Sequence, residues 1–248
     1  MSGDATRDQQ PRVGTRYIPS MEHPLIKPRD AASIILIDRS GREPRFLVGK
    51  RGRKHTFMPN FYVFPGGRRD RADSRIGVAA PLREDVQAKL LERTGSAMTP
   101  ARAQGLAVAA IRETAEEAGL FIGAEGRVGL HRDWTGFATR GLAPDLARLR
   151  FVARATTPPR QSRRFDTRFF ACFIDEIGAD PADISESEEL HDLTWIGFSD
   201  IDSVQLPRIT RTILDDLERE LGHDADLAFG RPVPFYFVKH GVFVRETI

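Results

Sequence analysis

Along the first third of the chain, apolar residues gather in short β-branched and aromatic runs separated by turn-rich segments: Ala32 to Ile37, Arg45 to Gly49 and Tyr62 to Phe64. Such runs predict strands of a mixed sheet. From Val78 to Thr94 the composition turns helical and stops near Gly95, and Thr99-Pro100 then supplies a cap and a first turn for the next helix. A Gly-rich connector and a loop containing Trp134 follow, then strands over Phe169 to Ile174 and around Leu193 to Ile196. Leu206-Pro207 leads into a charged helix ending at Gly222, and Pro234 to Val244 reads as a hairpin turning at Lys239-His240-Gly241. This order predicts an α/β protein packed as an α/β/α sandwich, without internal repeats.

The helix after Pro100 ends in Ala110-Ile111-Arg112-Glu113-Thr114-Ala115-Glu116-Glu117-Ala118-Gly119-Leu120. At about 100° per residue, Glu113, Glu116 and Glu117 fall within a sector of roughly 100°, with Val108, Ile111 and Ala115 on the other side. Like charges on neighbouring turns cost roughly a few tenths of a kcal/mol per pair, so a compensating partner is expected. A hard divalent cation, Mg2+ or Mn2+, suits grouped carboxylates and keeps positions free for substrate phosphates. A solvated acidic helix face is the plainer alternative.

Composition narrows the field. The 248 residues are 40% hydrophobic and 29% charged, with a net charge of +2, as in an ordinary soluble globular protein. No apolar run approaches the ~20 residues of a membrane span. Residues 1–29 are polar and contain no apolar signal core, so they read as a mobile lead-in and the location as cytoplasmic, with 30–248 as one domain. The single cysteine, Cys172, excludes an intrachain disulfide and fits a buried strand position. The histidines are scattered without zinc-site spacing, and no nucleophile elbow, phosphate-cradling loop or dinucleotide-binding glycine pattern occurs. The small net charge speaks against nucleic acid as a partner and a membrane is not expected, whereas a homodimer stays open. Two basic segments, Lys50-Arg51-Gly52-Arg53-Lys54-His55 and Thr156 to Arg164, can present guanidinium groups to phosphates or remain solvated loops.

Upstream of the acidic helix, Phe61-Tyr62-Val63-Phe64-Pro65-Gly66-Gly67 reads as a strand that stops abruptly. Phe-Pro-Gly-Gly followed by Arg-Glu-x-x-Glu-Glu-x-Gly resembles the signature of the Nudix hydrolase superfamily. Gly67 and Arg112 stand 45 positions apart, which implies an insertion of about 31 residues within the box, near 74–104. The insertion leaves the first acidic position open among Asp70, Asp73, Glu84 and Asp85. An interrupted box, together with Arg164-Phe165-Asp166-Thr167-Arg168-Phe169-Phe170, resembles the branch that includes peroxisomal coenzyme A diphosphatases.

The resemblance implies a Nudix-type sandwich with a helical insertion, and a pyrophosphohydrolase dependent on Mg2+ or Mn2+. Its substrate would be a nucleoside diphosphate linked to another moiety, with coenzyme A or its acyl esters as candidates. Glu113, Glu116, Glu117 and Gly67 are the expected metal ligands, and Arg112 orients a box carboxylate. Gly66, Gly67, Arg51, Arg164 and Arg168 are expected at the substrate. The general base lies either in the box, at Glu117, or in the later acidic loop, at Glu186, Glu188 or Glu189. A non-catalytic nucleotide-binding regulatory module of the same fold is the alternative, against which the intact glutamates speak.

Overall fold

The computed structural model describes residues 13–19, 21–52, 60–129 and 131–248. Residues 1–12 of the expected lead-in, and Arg53, Lys54 and His55 of the basic run, lie outside them.

In chain order the elements are β1 (Arg29–Asp38), β2 (Arg45–Arg51), β3 (Tyr62–Val63), β4 (Gly66–Arg68), α1 (Glu84–Leu91), α2 (Pro100–Ala118), β5 (Gly123–Glu125), α3 (Thr135–Thr139) and β6 (Leu142–Pro144). They continue with β7 (Arg150–Thr156), β8 (Phe165–Phe173), β9 (Leu190–Gly197), α4 (Arg208–His223), β10 (Pro234–Lys239) and β11 (Val242–Thr247). Nine strands form a mixed sheet running β11-β10-β7-β8-β1-β2-β3, with β4 added on β1 and β9 on β2. The β1–β8 and β10–β7 pairs are parallel and the others antiparallel. β5 and β6 form a separate ribbon.

The central strands are buried on both faces, which explains their near-continuous apolar runs. On β1, Ile34 and Leu36 join Leu106, Val108 and Ile111 of α2 in one core, whereas Ile35 and Ile37 join Ile213, Leu214 and Leu217 of α4 in the other. The same period of two sends Phe170 and Cys172 of β8 to the α2 side and Phe169, Ala171 and Phe173 to the α4 side. The result is the expected sandwich. Cys172 is fully buried, and burial raises its thiol pKa, so it stays protonated.

Three details depart from the sequence reading. The insertion is helical, as its composition suggested, but it is drawn into the core and does not lie on the surface: Val86 and Leu90 of α1 are buried in the same core as α2. The segment around Trp134 is a tight turn leading into α3, and it buries Trp134 and Phe137 with their ring centroids 5.0 Å apart. β7 escapes the hydrophobic pattern because Arg150 and Arg154 face inward, held by Glu176 and Asp166 at 2.8 Å. The described part of the N-terminal segment lies along β11, where the Gly14 and Tyr17 amides donate to Phe243 and Gly241 at 2.7 Å. No helix among the described residues is long and apolar enough to cross a membrane.

Candidate active site

The acidic helix is held at both ends. The Thr99 hydroxyl accepts from the Arg102 amide and caps α2, with Pro100 in its first turn. Gly119 ends it in the left-handed conformation, φ 72°. A side chain there would also strike the Ser185 hydroxyl, and the Ser185 amide donates to Ala118 O at 3.0 Å. The end of α2 thereby anchors the loop that carries Glu186, Glu188 and Glu189.

The Pro-Gly-Gly break does more than end a strand. Gly66 and Gly67 pair with Ser33 and Ala32 of β1, directly beside α2. A Cβ on Gly67 would collide with the Glu113 carboxylate, and one on Gly66 would collide with Ser33 and the Ala32 carbonyl. The Gly66 N–H donates to Glu117 Oε2 at 2.8 Å. Two bare backbone positions therefore let α2 bring Glu113 and Glu117 against the sheet.

Arg112 lies buried beneath these carboxylates. Its Nη1 is 2.9 Å from Glu113 Oε1 and 3.2 Å from Glu116 Oε2, its Nε donates to Asp73 Oδ1 at 3.1 Å, and its Nη2 donates to Arg68 O at 3.2 Å. Of the four candidates for the first acidic position, Asp73 is thus the one that meets the helix. Asp70 stays exposed beside Arg68, and Asp85 accepts from the Val86 amide of its own helix.

Burial dominates the electrostatics. It pushes Glu113 up to about 7 despite the Arg112 ion pair, and Glu117 up to about 8 despite the Gly66 hydrogen bond. Glu116, half-exposed, is raised in the same direction by burial. The folded chain therefore retains protons that the unfolded chain, with carboxyls near 4.5, has already released. Because the folded values are the higher ones, the metal-free fold is expected to lose stability as pH rises from 4.5 towards about 8. Melting curves in chelator at pH 5.5 and pH 8 check this, and a melting temperature that rises over the interval would contradict it.

Glu113 and Glu117, with Gly66 and Gly67, line a cavity of about 360 Å³. Arg51, Arg68 and Arg163 line it with cations, Glu189 adds a carboxylate, and Phe64, Phe165, Phe169, Ile209 and Phe243 supply an apolar wall. Burial lowers the Arg51 pKa, opposed by the charges of Glu117, Glu189 and Glu113. The remaining expected site residues lie elsewhere. Glu116 bonds Arg112 outside the cavity lining, and Glu188 is exposed, while Glu186 accepts from the Asp192 amide at 2.8 Å.

Arg164 and Arg168, expected at the substrate, do not reach the cavity. Arg164 donates to Thr157 O at 3.0 Å and Ile26 O at 2.7 Å. Arg168 is 1% exposed and pairs with Asp166 at 2.9 Å. On β8 it alternates with Phe165, Thr167 and Phe169, which do line the cavity, so it faces the opposite side of the sheet. Extending the strand back to Phe165 would have separated the two faces in the sequence itself.

A divalent cation is tested by the donors present. Among the described residues, no three His, Cys, Asp or Glu side chains converge closely enough to form a coordination cluster. The chemistry of the donor set nevertheless fits a hard cation: two buried, proton-retaining carboxylates share one wall with bare main chain, and an ion that displaces their protons would offset their burial.

No protein-family profile matches the chain. In sequence it is 27% identical over 191 residues to a Caenorhabditis elegans protein described as "Putative nudix hydrolase 7". That match takes in 68% of this chain and 51% of the other, so the chain spans about half the length of this curated relative. In structure it is similar to a NUDIX hydrolase from Alicyclobacillus acidocaldarius, with a TM-score of 0.54 and 25% identity over 77% of this chain and 91% of that one. The chain has the Nudix fold, and sequence and structure alike relate it to the Nudix hydrolase superfamily.

Proposed function

We propose that the chain is a Mg2+- or Mn2+-dependent pyrophosphohydrolase that cleaves a nucleoside diphosphate linked to another moiety. The observation that carries this reading is the placement of Glu113 and Glu117, across from bare Gly66-Gly67 main chain, on the wall of a cavity lined also by arginines. Glu113, Glu116 and Glu117, with the main-chain oxygen of Gly67, would hold the metal. When bound, it supplies neutralisation of phosphate charge and acidification of water.

The chain's own residues account for the rest. Arg51, Arg68 and Arg163 offer guanidinium groups to the non-reacting phosphate oxygens, where charge-assisted bonds are strongest. Glu189 lines the cavity from a loop outside the helix, and its main-chain carbonyl takes the Gly52 amide beside Arg51 at 3.3 Å. It is therefore the carboxylate best placed outside the helix to take a proton from the attacking water, with Glu117 as its rival. Arg112 orients Glu113 and Glu116 and touches no substrate.

Gly67→Ala is expected to displace Glu113 and lower turnover by about 10- to 100-fold. Gly129→Ala, where an added Cβ meets nothing within 4 Å, is expected to leave turnover unchanged. Equal rates in the two variants would remove Gly67 from the site.

Coenzyme A and its acyl esters are the first candidates within the class because of the interrupted box. The engagement of Arg164 and Arg168 away from the cavity withdraws part of that support. A panel of coenzyme A, acyl-coenzyme A, ADP-ribose, NADH, diadenosine polyphosphates and nucleoside triphosphates, assayed with either metal, tests the substrate. Cleavage of one class names it, whereas tight binding of one compound without cleavage of any favours a regulatory module.

A further inference from the structure

Gly67 and α2 are separated by an insertion that is long enough to tether them only weakly, since chain closure constrains less as a loop lengthens. Their register must come from contacts. Arg112 supplies one by taking Asp73 and the Arg68 carbonyl. Ser74 supplies another by packing on Gly105 of α2, where a Cβ would strike its hydroxyl. The third involves none of the box carboxylates. Asp30, at the start of β1, accepts from Arg69 Nε at 3.3 Å and from Arg102 Nε at 2.5 Å, both on Oδ2. Its main-chain carbonyl also accepts the Arg69 amide at 3.1 Å.

Arg69 stands two positions after Gly67, ahead of the insertion, and Arg102 lies at the insertion's far end, in the first turn of α2. The Asp30 side chain is 9% exposed, with Arg168 Nη1 at 3.8 Å from its Oδ1, so its bonds are shielded from water and strengthened accordingly. We infer that Asp30 is a positioning residue that clasps the two halves of the interrupted box and sets the Gly66-Gly67 turn against the α2 carboxylates. The inference rests on the reading of this site as a metal-dependent hydrolase.

Asp30→Asn in the full chain tests it, beside Asp38→Asn as a control. Asp38 sits at the other end of the same strand and is a still more deeply buried carboxylate, bonded to Arg45 and to the Ser40 amide. The readouts are hydrogen exchange at the Gly66 amide, Mn2+ binding followed by its paramagnetic resonance signal, and kcat and KM. In Asp30→Asn, Gly66 is expected to exchange faster, Mn2+ to bind about 10- to 100-fold more weakly, and kcat to fall with KM kept. Asp38→Asn is expected to lower the melting temperature and leave those readouts unchanged. Arg102→Gln, which removes only the α2 half of the clasp, is expected to reproduce the faster exchange. Unchanged exchange at Gly66 in both clasp variants, or equal changes in Asp30→Asn and Asp38→Asn, would overturn the inference. Absence of Mn2+ binding in the wild-type chain would instead sink the metal-dependent reading, and exchange at Gly66 would still decide the clasp.

Discussion

In Glu117→Gln, turnover is expected to fall by more than about 100-fold, a larger loss than removal of a supporting partner of a metal ligand produces. The fold is expected to survive, because the glutamine carbonyl can still accept the Gly66 N–H that Glu117 now takes at 2.8 Å. A second consequence separates this substitution from ordinary damage. Burial pushes Glu117 up to about 8, so its ionised form is a burden on the metal-free fold at alkaline pH, and a neutral amide lifts that burden. The variant is therefore expected to melt higher than the wild type in chelator at pH 8, and to lack the stabilisation that Mg2+ or Mn2+ is expected to give the wild type. Full activity in this variant would remove Glu117 from the metal site, and unchanged melting would contradict the burial argument.

Arg112→Ala is expected to give the largest loss of stability, about 3–5 kcal/mol, because it strands the charges that the guanidinium now serves. Asp73 is 2% exposed and would lose its cation, Glu113 and Glu116 would lose the shared Nη1, and the Arg68 carbonyl would lose its donor. The deficit is expected to shrink at acid pH, where Glu113 and Glu116, both raised by burial, take up protons. Denaturant unfolding at pH 7 and pH 5 measures it, and a loss under about 1 kcal/mol at pH 7 would mean that the cluster contributes little.

The local parts of the site were legible in the sequence. The spacing that puts Glu113 and Glu117 on one helix face, the Thr99-Pro100 start and the Gly119 end all act within one helix, where a period of 3.6 residues is enough to reason with, although Glu116 lies outside the cavity lining. The Pro-Gly-Gly break was legible because proline and glycine punctuate a strand through their own backbone preferences. What joins distant segments was not. Asp73 could not be chosen over Asp70, Glu84 or Asp85 because its partner, Arg112, is selected by tertiary packing across the insertion. β7 was hidden because its inward arginines are neutralised by Glu176 and Asp166, which come from other parts of the chain. Arg168 was assigned to the substrate on its type and motif, although the period of its own strand turns it away from the cavity. The apolar wall drew Phe64, Phe165, Ile209 and Phe243 from four separate segments, and no local pattern links them.

Hydrolysis of the substrate panel in 18O-labelled water, with Mg2+ or Mn2+ and then with excess chelator, decides whether the chain is a metal-dependent pyrophosphohydrolase. The expected result is two phosphate-bearing products, one of them carrying a single 18O on its phosphate, and no product once the metal is withdrawn. Cleavage that persists in chelator, or no cleavage of any compound with metal present, would contradict it.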